Sequence, residues 1–533
     1  MAIIKEGSTL VGTGLAGGIP RAKPPGMSAA RGSTVLLFSF IIVALVNYAF
    51  AITMGYLLPV EEYGLLGVVQ TILLFGSTVV GAGFPWALTR TIAASDHPEA
   101  SASAFQAALI GNVIVGVAIG VLLPLGTWQG WLPFGAQYRV PMLLAGATIA
   151  TLAATGVFAA MLQGLLRFGQ LGLTRIVEAV IKLGAGILLV LLGYGVNGTI
   201  GAFLGAALLS TLVATLSLRG VSLWRSEGWL GAHLGELSRS VGPLFIGQIC
   251  LAALINVDII GLKLFSPQGV SDQFAGEYQA AVTLTRIPIY LTMALLNGVF
   301  PFISRQAPRS ELANIYATLA LKYLLLFLVP LDIIFLVIPR PLIRFFFSAA
   351  FDASATPMAI TAAGTIILVL IYGLAMLLQA AGQLRVQAWA LPVTLAVEIA
   401  ALYILVPRLE TNGAGLALAS AGICGLVLLL PATLRAYVLR VPPRTALAYV
   451  VALAVFALLL RSFPDEGRFL TMSAIVVAGG GYVLLLIVLG LLRAEDVTLL
   501  NDGLGPRFTP IAGHIGRLVT RLGVLAPRRS DRH

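Results

Sequence analysis

The chain has 533 residues, of which 59% are hydrophobic and only 10% are charged. A soluble domain is nearer half apolar and a quarter charged, so this composition excludes an ordinary soluble enzyme, a disulfide-rich secreted domain and a disordered protein. The net charge is +11. Most basic residues fall in linkers and tails between apolar runs, so we interpret the charge as a membrane-orientation signal and expect no nucleic-acid partner.

Continuous apolar runs of about 20 residues follow one another along the chain, and each is long enough to cross a bilayer as a helix. Strands of a membrane barrel would alternate instead, over about ten residues each. The pattern predicts an all-α polytopic membrane protein with about fourteen spans. They are 34–58, 64–89, 103–125, 140–162, 171–194, 198–218, 241–265, 277–303, 312–338, 355–381, 386–407, 413–437, 443–461 and 469–492.

The loops between these spans differ in charge. If the N-terminus lies inside, the cytoplasmic segments carry about 22 Lys and Arg residues and the outer loops about six. This bias predicts a multi-pass protein of the inner (cytoplasmic) membrane with both termini in the cytoplasm. The first span, beginning near Val35, is expected to be uncleaved because residues 1–33 lack the pattern of a signal peptide.

Motifs of enzymes are not found in the sequence. It has no nucleotide-binding loop, dinucleotide fingerprint or metalloprotease motif, and every predicted outer loop is short. The two cysteines, Cys250 and Cys424, lie in apolar runs without metal-ligand spacing. We therefore expect no enzymatic activity, no cofactor and no metal site.

The second half of the chain repeats the first at an offset of about 215 residues. The matching pairs are Glu62-Tyr63 with Glu277-Tyr278, Phe84-Pro85 with Phe300-Pro301, Leu162-Gln163 with Leu378-Gln379, and Asn197-Gly198 with Asn412-Gly413. Each copy holds six predicted spans, and an even number makes the copies parallel. We therefore predict two six-helix lobes around a cleft, as in alternating-access transporters. Scaffolds and channels built from duplicated bundles are the open alternative.

The repeat also divides the chain into predicted segments. They are a cytoplasmic tail (1–33), an N-lobe (34–218), an inter-lobe linker (219–240), a C-lobe (241–437), two further spans (438–493) and a basic tail (494–533). Apolar and charged residues interleave in the linker, with Trp224 and Trp229 among them, and the tail has a similar pattern. Both are expected to lie as amphipathic helices on the inner leaflet.

Two segments at matching places in the repeat carry a family resemblance. Residues 56–90 resemble the first-to-second-helix region of bacterial oligosaccharide flippases, and residues 275–305 are similar to their seventh-to-eighth-helix region. These flippases belong to the multidrug/oligosaccharidyl-lipid/polysaccharide exporter superfamily. The resemblance implies a V-shaped two-lobed fold and movement of a lipid-linked sugar between leaflets.

The layout adds to this resemblance. The last two spans are similar to the fourteen-span arrangement of the lipid II flippases, in which such a pair lines a groove for the lipid tail. Multidrug members commonly have an acidic residue in the first helix, and the span 34–58 has none. Lipid II flippases also carry cleft arginines, including one in the eighth helix, which matches Arg286. They have further arginines in the first two helices, where this chain has only the flanking Arg31 and Arg90.

Ionisable residues within the predicted spans are candidates for function because each is costly to insert in a membrane. Arg175, Glu178 and Lys182 are three and four residues apart and share one helix face. Lys182 lies roughly 17 Å into its span, near the bilayer midplane. We predict either a cationic stripe facing the cleft, with Glu178 orienting its neighbours, or a self-neutralising group without contact to substrate.

Arg286 and Asp258 are predicted at similar depths of adjacent spans, roughly 13 Å and 10 Å from the outer end. In one hypothesis, Arg286 binds a pyrophosphate, since a guanidinium donates two parallel hydrogen bonds, and Asp258 binds a coupling proton or Na⁺. The other hypothesis is a structural ion pair.

The remaining candidates have weaker support. Lys263 lies at the outer end of its span and is expected to extend toward the membrane surface. Arg90 is expected near the cytoplasmic end of the second span, as an anchor or a substrate contact. Glu398 is equivalent to Lys182 in the repeat, so the two could face each other across the cleft or be unrelated.

These residues lead to three hypotheses of function. The first is a flippase that moves a lipid-linked pyrophosphate oligosaccharide from the inner to the outer leaflet. Its expected partners are this substrate and membrane lipids, with the polysaccharide assembly machinery as a further option. The second is a cation-coupled exporter of amphipathic cations, which predicts a cleft lined by carboxylates and aromatic residues. The third is a non-transporting membrane scaffold whose C-terminal tail recruits a partner.

Overall fold

The computed structural model of the protein describes residues 27–94, 98–221, 223, 242–267, 270–306, 309–439, 442–463 and 467–492. The described residues form helices and connecting turns, and no β-strand occurs among them. The predictions for the N-terminal tail before residue 27, for most of the inter-lobe linker and for the C-terminal tail from residue 493 lie outside the described residues.

Sixteen α-helices make up most of the described part of the chain. They are α1 (Met27–Leu57), α2 (Val60–Ala82), α3 (Phe84–Ala94), α4 (Pro98–Trp128), α5 (Arg139–Gly164), α6 (Phe168–Leu189), α7 (Gly195–Ser217), α8 (Gly242–Phe265), α9 (Ser271–Thr285), α10 (Ile287–Ser304), α11 (Glu311–Val337), α12 (Pro339–Phe346), α13 (Ala355–Ala380), α14 (Leu384–Ala436), α15 (Pro443–Arg461) and α16 (Arg468–Val488). Short 3₁₀ helices at Ala136–Tyr138 and Ala349–Ser354 precede α5 and α13, and a π-helical turn at Val190–Tyr194 joins α6 to α7.

Twelve helical segments of the described residues are long and apolar enough to cross a membrane. Two of them, Phe168–Ser217 and Leu384–Ala436, are 50 and 53 residues long, more than twice what one crossing needs. Each contains a position with positive φ, at Gly193 (φ 87°) in the first and at Glu410 (φ 52°) in the second. We interpret each as two crossings joined by a tight turn. Counting each of these two segments as two crossings gives fourteen spans, the number that the sequence predicts. That number stays a prediction.

The helices pack into two sets, which we call the first lobe (α1–α7) and the second lobe (α8–α14). Within the first lobe, α5 packs on α2, α3, α4 and α7, and within the second lobe α14 packs on α8 and α13. Between the lobes, α2 of the first packs on α8 and α9 of the second. The inter-lobe interface is therefore built largely from α2, α8 and α9.

The hydrophobic core differs between the two ends of the molecule. We call the end where α1 stops and α2 starts the outer end, following the orientation that the charge bias predicts. Here one cluster joins both lobes and includes Met54, Tyr63, Tyr278 and Phe347. Toward the inner end each lobe has a cluster of its own, around Phe105 in the first lobe and Leu377 in the second. The lobes are thus closed against each other at the outer end.

The helix pair α15–α16 attaches to the second lobe at a proline. Pro330 lies inside α11 and has no N–H, so the carbonyl of Leu326 loses its helical donor. The Tyr482 hydroxyl of α16 donates to that carbonyl at 3.0 Å, and the Tyr449 hydroxyl of α15 donates to the neighbouring Leu325 carbonyl at 2.5 Å. Two tyrosines therefore satisfy acceptors that lie among apolar side chains.

Replacing Tyr482 with phenylalanine should lower the free energy of unfolding by about 1–2 kcal/mol, because the buried Leu326 carbonyl would lose its donor. A lower melting temperature in detergent would show this loss. The variant Pro330→Ala restores a backbone N–H to α11, so adding it to Tyr482→Phe should recover part of the stability. An unchanged melting temperature for Tyr482→Phe would contradict the role of this hydrogen bond.

Candidate functional site

A cavity of about 490 Å³ lies between the two lobes. Residues of α1, α2, α5, α6 and α7 form its wall in the first lobe, and residues of α9 and α10 with the junction between them form its wall in the second. Its polar and charged lining residues are Asn47, Tyr48, Gln70, Thr71, Ser77, Thr148, Arg175, Glu178, Lys182, Gln279, Thr283, Arg286 and Tyr290. The cavity therefore brings together charged groups from both lobes.

Arg175, Glu178 and Lys182 share one face of α6, as their spacing predicts, and all three line this wall. The Arg175 Nη1 atom lies 3.4 Å from Glu178 Oε2, and both side chains remain partly exposed, at 41% and 28%. Glu178 pairs with Arg175 and offsets its charge. The three residues together still carry a net positive charge because of Lys182.

Lys182 occupies an aromatic recess within the same wall. Its ammonium lies 5.1 Å from the ring centroids of Phe50 in α1 and Phe203 in α7. The ammonium also donates to Asn47 Oδ1. Ring faces attract a cation, so this recess stabilises the charge within the membrane. The arrangement holds a positive charge at the cavity without a carboxylate partner among these contacts.

Arg286 stands at a break between α9 and α10. Pro288 at the start of α10 cannot donate to the preceding turn, so the helix is interrupted at this point. The Arg286 Nη2 atom donates to Asp258 Oδ1 at 2.7 Å, and Arg286 and Asp258 are 8% and 1% exposed. The two side chains therefore form an ion pair, which their similar predicted depth allows. The arginine also lines the cavity, so the pairing orients the guanidinium at the cavity wall.

Asp258 is held by two further donors. The Tyr278 hydroxyl donates to Oδ2 at 2.9 Å, and the Ile259 amide donates to Oδ1 at 2.9 Å. Thr361 donates in turn to the Tyr278 hydroxyl at 3.5 Å. Both carboxylate oxygens are therefore engaged in this state, and the ion-coupling role of Asp258 stays a prediction.

The structure places three other candidate residues outside the cavity. Lys263 is buried at the outer end and bonded to Ser271 and Asp272, so the expectation that it extends to the membrane surface is wrong. Arg90 is exposed in α3. Glu398 is fully buried, and neither of its carboxyl oxygens has a hydrogen-bond partner among the described residues. It does not line the cavity with Lys182 because its side chain packs inside the second lobe.

Several neutral lining residues were not anticipated from the sequence. Gln70 and Gln279 contribute amides, and Tyr48 contributes a side chain whose hydroxyl is buried and has no hydrogen-bond partner among the described residues. Gln70 interrupts an apolar run, and Gln279 and Thr283 are four residues apart on one face, which are the signals that could have identified them. Amides and hydroxyls suit uncharged polar groups such as sugar hydroxyls.

A second cavity, of about 360 Å³, lies between the lobes nearer the inner end. Its lining residues include Thr78 and Trp86 from the first lobe and Gln248 and Gln379 from the second. Together with the separate cores at this end, it shows that the lobes are less tightly packed on the inner side.

Comparisons with known proteins agree with this architecture. A family model described as "Polysaccharide biosynthesis protein" matches residues 29–306, more than half of the chain. The lipid II flippase MurJ in its inward closed conformation is similar in structure, with a TM-score of 0.70, 15% identity and coverage of 85% of this chain and 98% of that chain. The search of curated protein sequences gave no match.

Multidrug resistance MATE family transporters share the same fold. An inward-facing structure of a multidrug resistance MATE family transporter of the MOP superfamily has a TM-score of 0.62 at 14% identity and covers 74% of this chain and 94% of that chain. An outward-facing structure of a transporter of that family has a TM-score of 0.56 at 15% identity, with 78% and 96% covered. At such identities the similarity shows the fold alone.

Proposed function

The chain belongs to the polysaccharide biosynthesis protein family, and on that basis we propose that it is a flippase. Its substrate would be a lipid-linked pyrophosphate oligosaccharide, moved from the inner to the outer leaflet by alternating access. The proposed setting is the inner membrane, with both termini cytoplasmic and the polysaccharide assembly machinery as a further partner.

The charge of the inter-lobe cavity is the observation that carries this proposal. Three cationic residues, Arg175, Lys182 and Arg286, line the cavity together with one carboxylate, that of Glu178. A positive cavity within a membrane is costly unless an anion enters it. A pyrophosphate supplies that anion, and both an ammonium and a guanidinium bind phosphate oxygens with charge-assisted hydrogen bonds.

The two lobes would contribute differently to binding. Arg286 would donate in fixed directions because Asp258 anchors one of its nitrogens, whereas Lys182 would act as a compact charge in its aromatic recess. The amides of Gln70 and Gln279 would bind sugar hydroxyls. The lipid tail would stay in the bilayer beside the lobes.

The membrane potential is a sufficient source of energy for such a substrate. Each negative charge moved outward across an inside-negative membrane gains about 2.3 kcal/mol per 100 mV. A pyrophosphate carries more than one charge, so transport would need no nucleotide. This agrees with the lack of a nucleotide-binding motif in the sequence.

The alternatives from the sequence are less well supported by the cavity. An exporter of amphipathic cations requires available carboxylates, whereas Glu178 is paired with Arg175 and Asp258 with Arg286. A scaffold requires no polar cavity between the lobes. Dye efflux that depends on Asp258 would favour the exporter, and loss of function on removing residues 494–533 alone would favour the scaffold.

Purified protein in liposomes should move a fluorescent pyrophosphate-linked lipid sugar between leaflets. A lipid with the same tail and sugar but a neutral linkage should not be moved, because it offers nothing to the cationic residues. Equal transport of both lipids would refute the proposed substrate class. Absence of transport for the pyrophosphate lipid, with dye export instead, would favour the second hypothesis.

The same liposomes test the energy source. A potassium diffusion potential, negative on the side from which substrate departs, should accelerate translocation several-fold because the substrate is an anion. Reversing the potential should slow it, and a rate independent of potential would contradict net movement of negative charge.

A further inference from the structure

One carboxylate at the outer end accepts hydrogen bonds from both lobes. Asp272, in the first turn of α9, accepts from Tyr138 Oη at 2.6 Å and from Gln137 Nε2 at 3.0 Å. Both donors belong to the 3₁₀ helix that precedes α5 of the first lobe. From its own lobe, Asp272 accepts from Lys263 Nζ at 2.5 Å. Three donors therefore converge on one side chain at the junction of the lobes.

Lys263 pairs with this carboxylate from within the second lobe. Its ammonium also donates to Ser271 Oγ at 2.8 Å and lies 4.9 Å from the ring centroid of Tyr138. The ion pair of Lys263 and Asp272 is contained within the second lobe, and only neutral donors come from the first lobe. Separation of the lobes would therefore leave the pair intact, expose the buried Tyr138 to water and release Gln137, which is already exposed, from the carboxylate.

This polar cluster lies beside a close backbone contact between the lobes. A side chain at Gly64 of α2 would collide with the carbonyl of Asp272, and one at Gly276 of α9 would collide with the carbonyl of Val60. The rings of Phe347 and Phe351 pack against Tyr63 close by, at 6.0 Å and 5.4 Å between centroids. The carboxylate thus bonds across the lobes at the place where they close the cavity.

We propose that Asp272, Tyr138 and Gln137 form an outer latch that holds the lobes closed at this end and sets the balance between inward-facing and outward-facing states. The proposal rests on the alternating access of the proposed function. The latch is reversible because its ion pair stays together in either state, and the inter-lobe hydrogen bonds exchange for bonds to water. Breaking them favours the outward-facing state.

The latch can be tested without substrate by measuring how readily a reagent reaches the cavity from the outer side. In a background with Cys250→Ala and Cys424→Ala, the reporter substitution Gln70→Cys places a thiol in the cavity wall. A membrane-impermeant thiol reagent is added to intact cells, and its rate of reaction is measured. The variant Tyr138→Phe keeps the ring beside Lys263 and removes one inter-lobe donor. Adding Gln137→Leu removes the other.

Tyr138→Phe should raise the labelling rate about tenfold, as expected for loss of a hydrogen bond to a charged group, and the double variant should raise it further. Two controls should match the unmodified background. Tyr194→Phe makes the same chemical change at an exposed outer-end tyrosine, and Asp352→Asn removes a carboxylate whose ion pair with Arg344 lies within the second lobe.

Labelling within twofold of the background for the double variant, at equal folded yield, would overturn the latch. So would rapid labelling of the background itself, because the closed state would then not prevail. If Tyr138→Phe fails to fold, Gln137→Leu alone still tests the latch, since Gln137 is exposed and its substitution leaves the core unchanged. Outer labelling that responds to the latch in a protein that moves no lipid-linked sugar would uphold the latch and refute the proposed function.

Discussion

Replacing Arg286 with alanine should reduce translocation of a pyrophosphate-linked lipid sugar by at least about 100-fold, since two charge-assisted hydrogen bonds to phosphate would be lost. Initial rates in proteoliposomes with matched protein content would measure the change. Arg286→Lys should recover only a small part of the rate, because an ammonium keeps the charge and loses the planar arrangement of donors.

Controls must separate binding from folding, because Arg286→Ala leaves the buried Asp258 without its cation. Such a loss typically costs about 3–5 kcal/mol. The double variant Asp258→Asn with Arg286→Gln removes both charges, so it should fold and still fail to transport. Arg90→Gln changes an arginine outside the cavity and should keep at least half of the rate. Normal transport by the double variant would exclude Arg286 from the substrate site.

Replacing Gly64 with alanine should reduce transport by more than tenfold because the new Cβ would overlap the Asp272 carbonyl and part of Gly276. Overpacking of this kind costs about 1–3 kcal/mol, and here the cost falls on the closed outer end. The lobes would separate there, so outer labelling of the Gln70→Cys reporter should rise together with the loss of transport.

Gly81→Ala is a matched control in the same helix. Nothing lies within 4 Å of a Cβ at Gly81, whereas Gly64 faces the backbone of α9. Both substitutions add the same methyl group to α2, and at Gly81, near the end of the helix and beside the second cavity, the methyl group meets no neighbouring atom. A difference between the two variants therefore reports mainly the inter-lobe contact at Gly64. Equal transport by the two variants would show that the crossing of α2 and α9 does not control the cycle.

The Arg286–Asp258 pair joins two hypotheses that the sequence left separate. It is a buried ion pair, with Asp258 bonded to Tyr278 and to its own helix as well as to the arginine. It also presents the arginine to the cavity. A structural pair and a substrate-facing arginine are therefore compatible, because only one of the guanidinium nitrogens bonds the carboxylate.

Some features of the site could be predicted because they depend on local spacing. Arg175 and Glu178 are three residues apart on a helix, so their contact follows from helical geometry. The pairing of Asp258 with Arg286 needed only similar depth on neighbouring helices. By contrast, the repeat placed Lys182 and Glu398 at equivalent positions, yet only Lys182 lines the cavity. Equivalence in a repeat fixes a place in each lobe and leaves the side-chain surroundings open.

The amino-acid sequence by itself determined that this protein is an all-helical membrane protein, and it predicts duplicated halves, because hydropathy and repeat register are properties of consecutive residues. Only the tertiary structure decided which side chains share the cavity and which close its outer end. The close crossing at Gly64 and Gly276 depends on the angle and distance between helices about 200 residues apart. The burial of Lys263 beside Asp272 also depends on the packing of the lobes, because Tyr138 of the first lobe lies against its ammonium. Those quantities come from the packing of many side chains at once, and no local pattern encodes them.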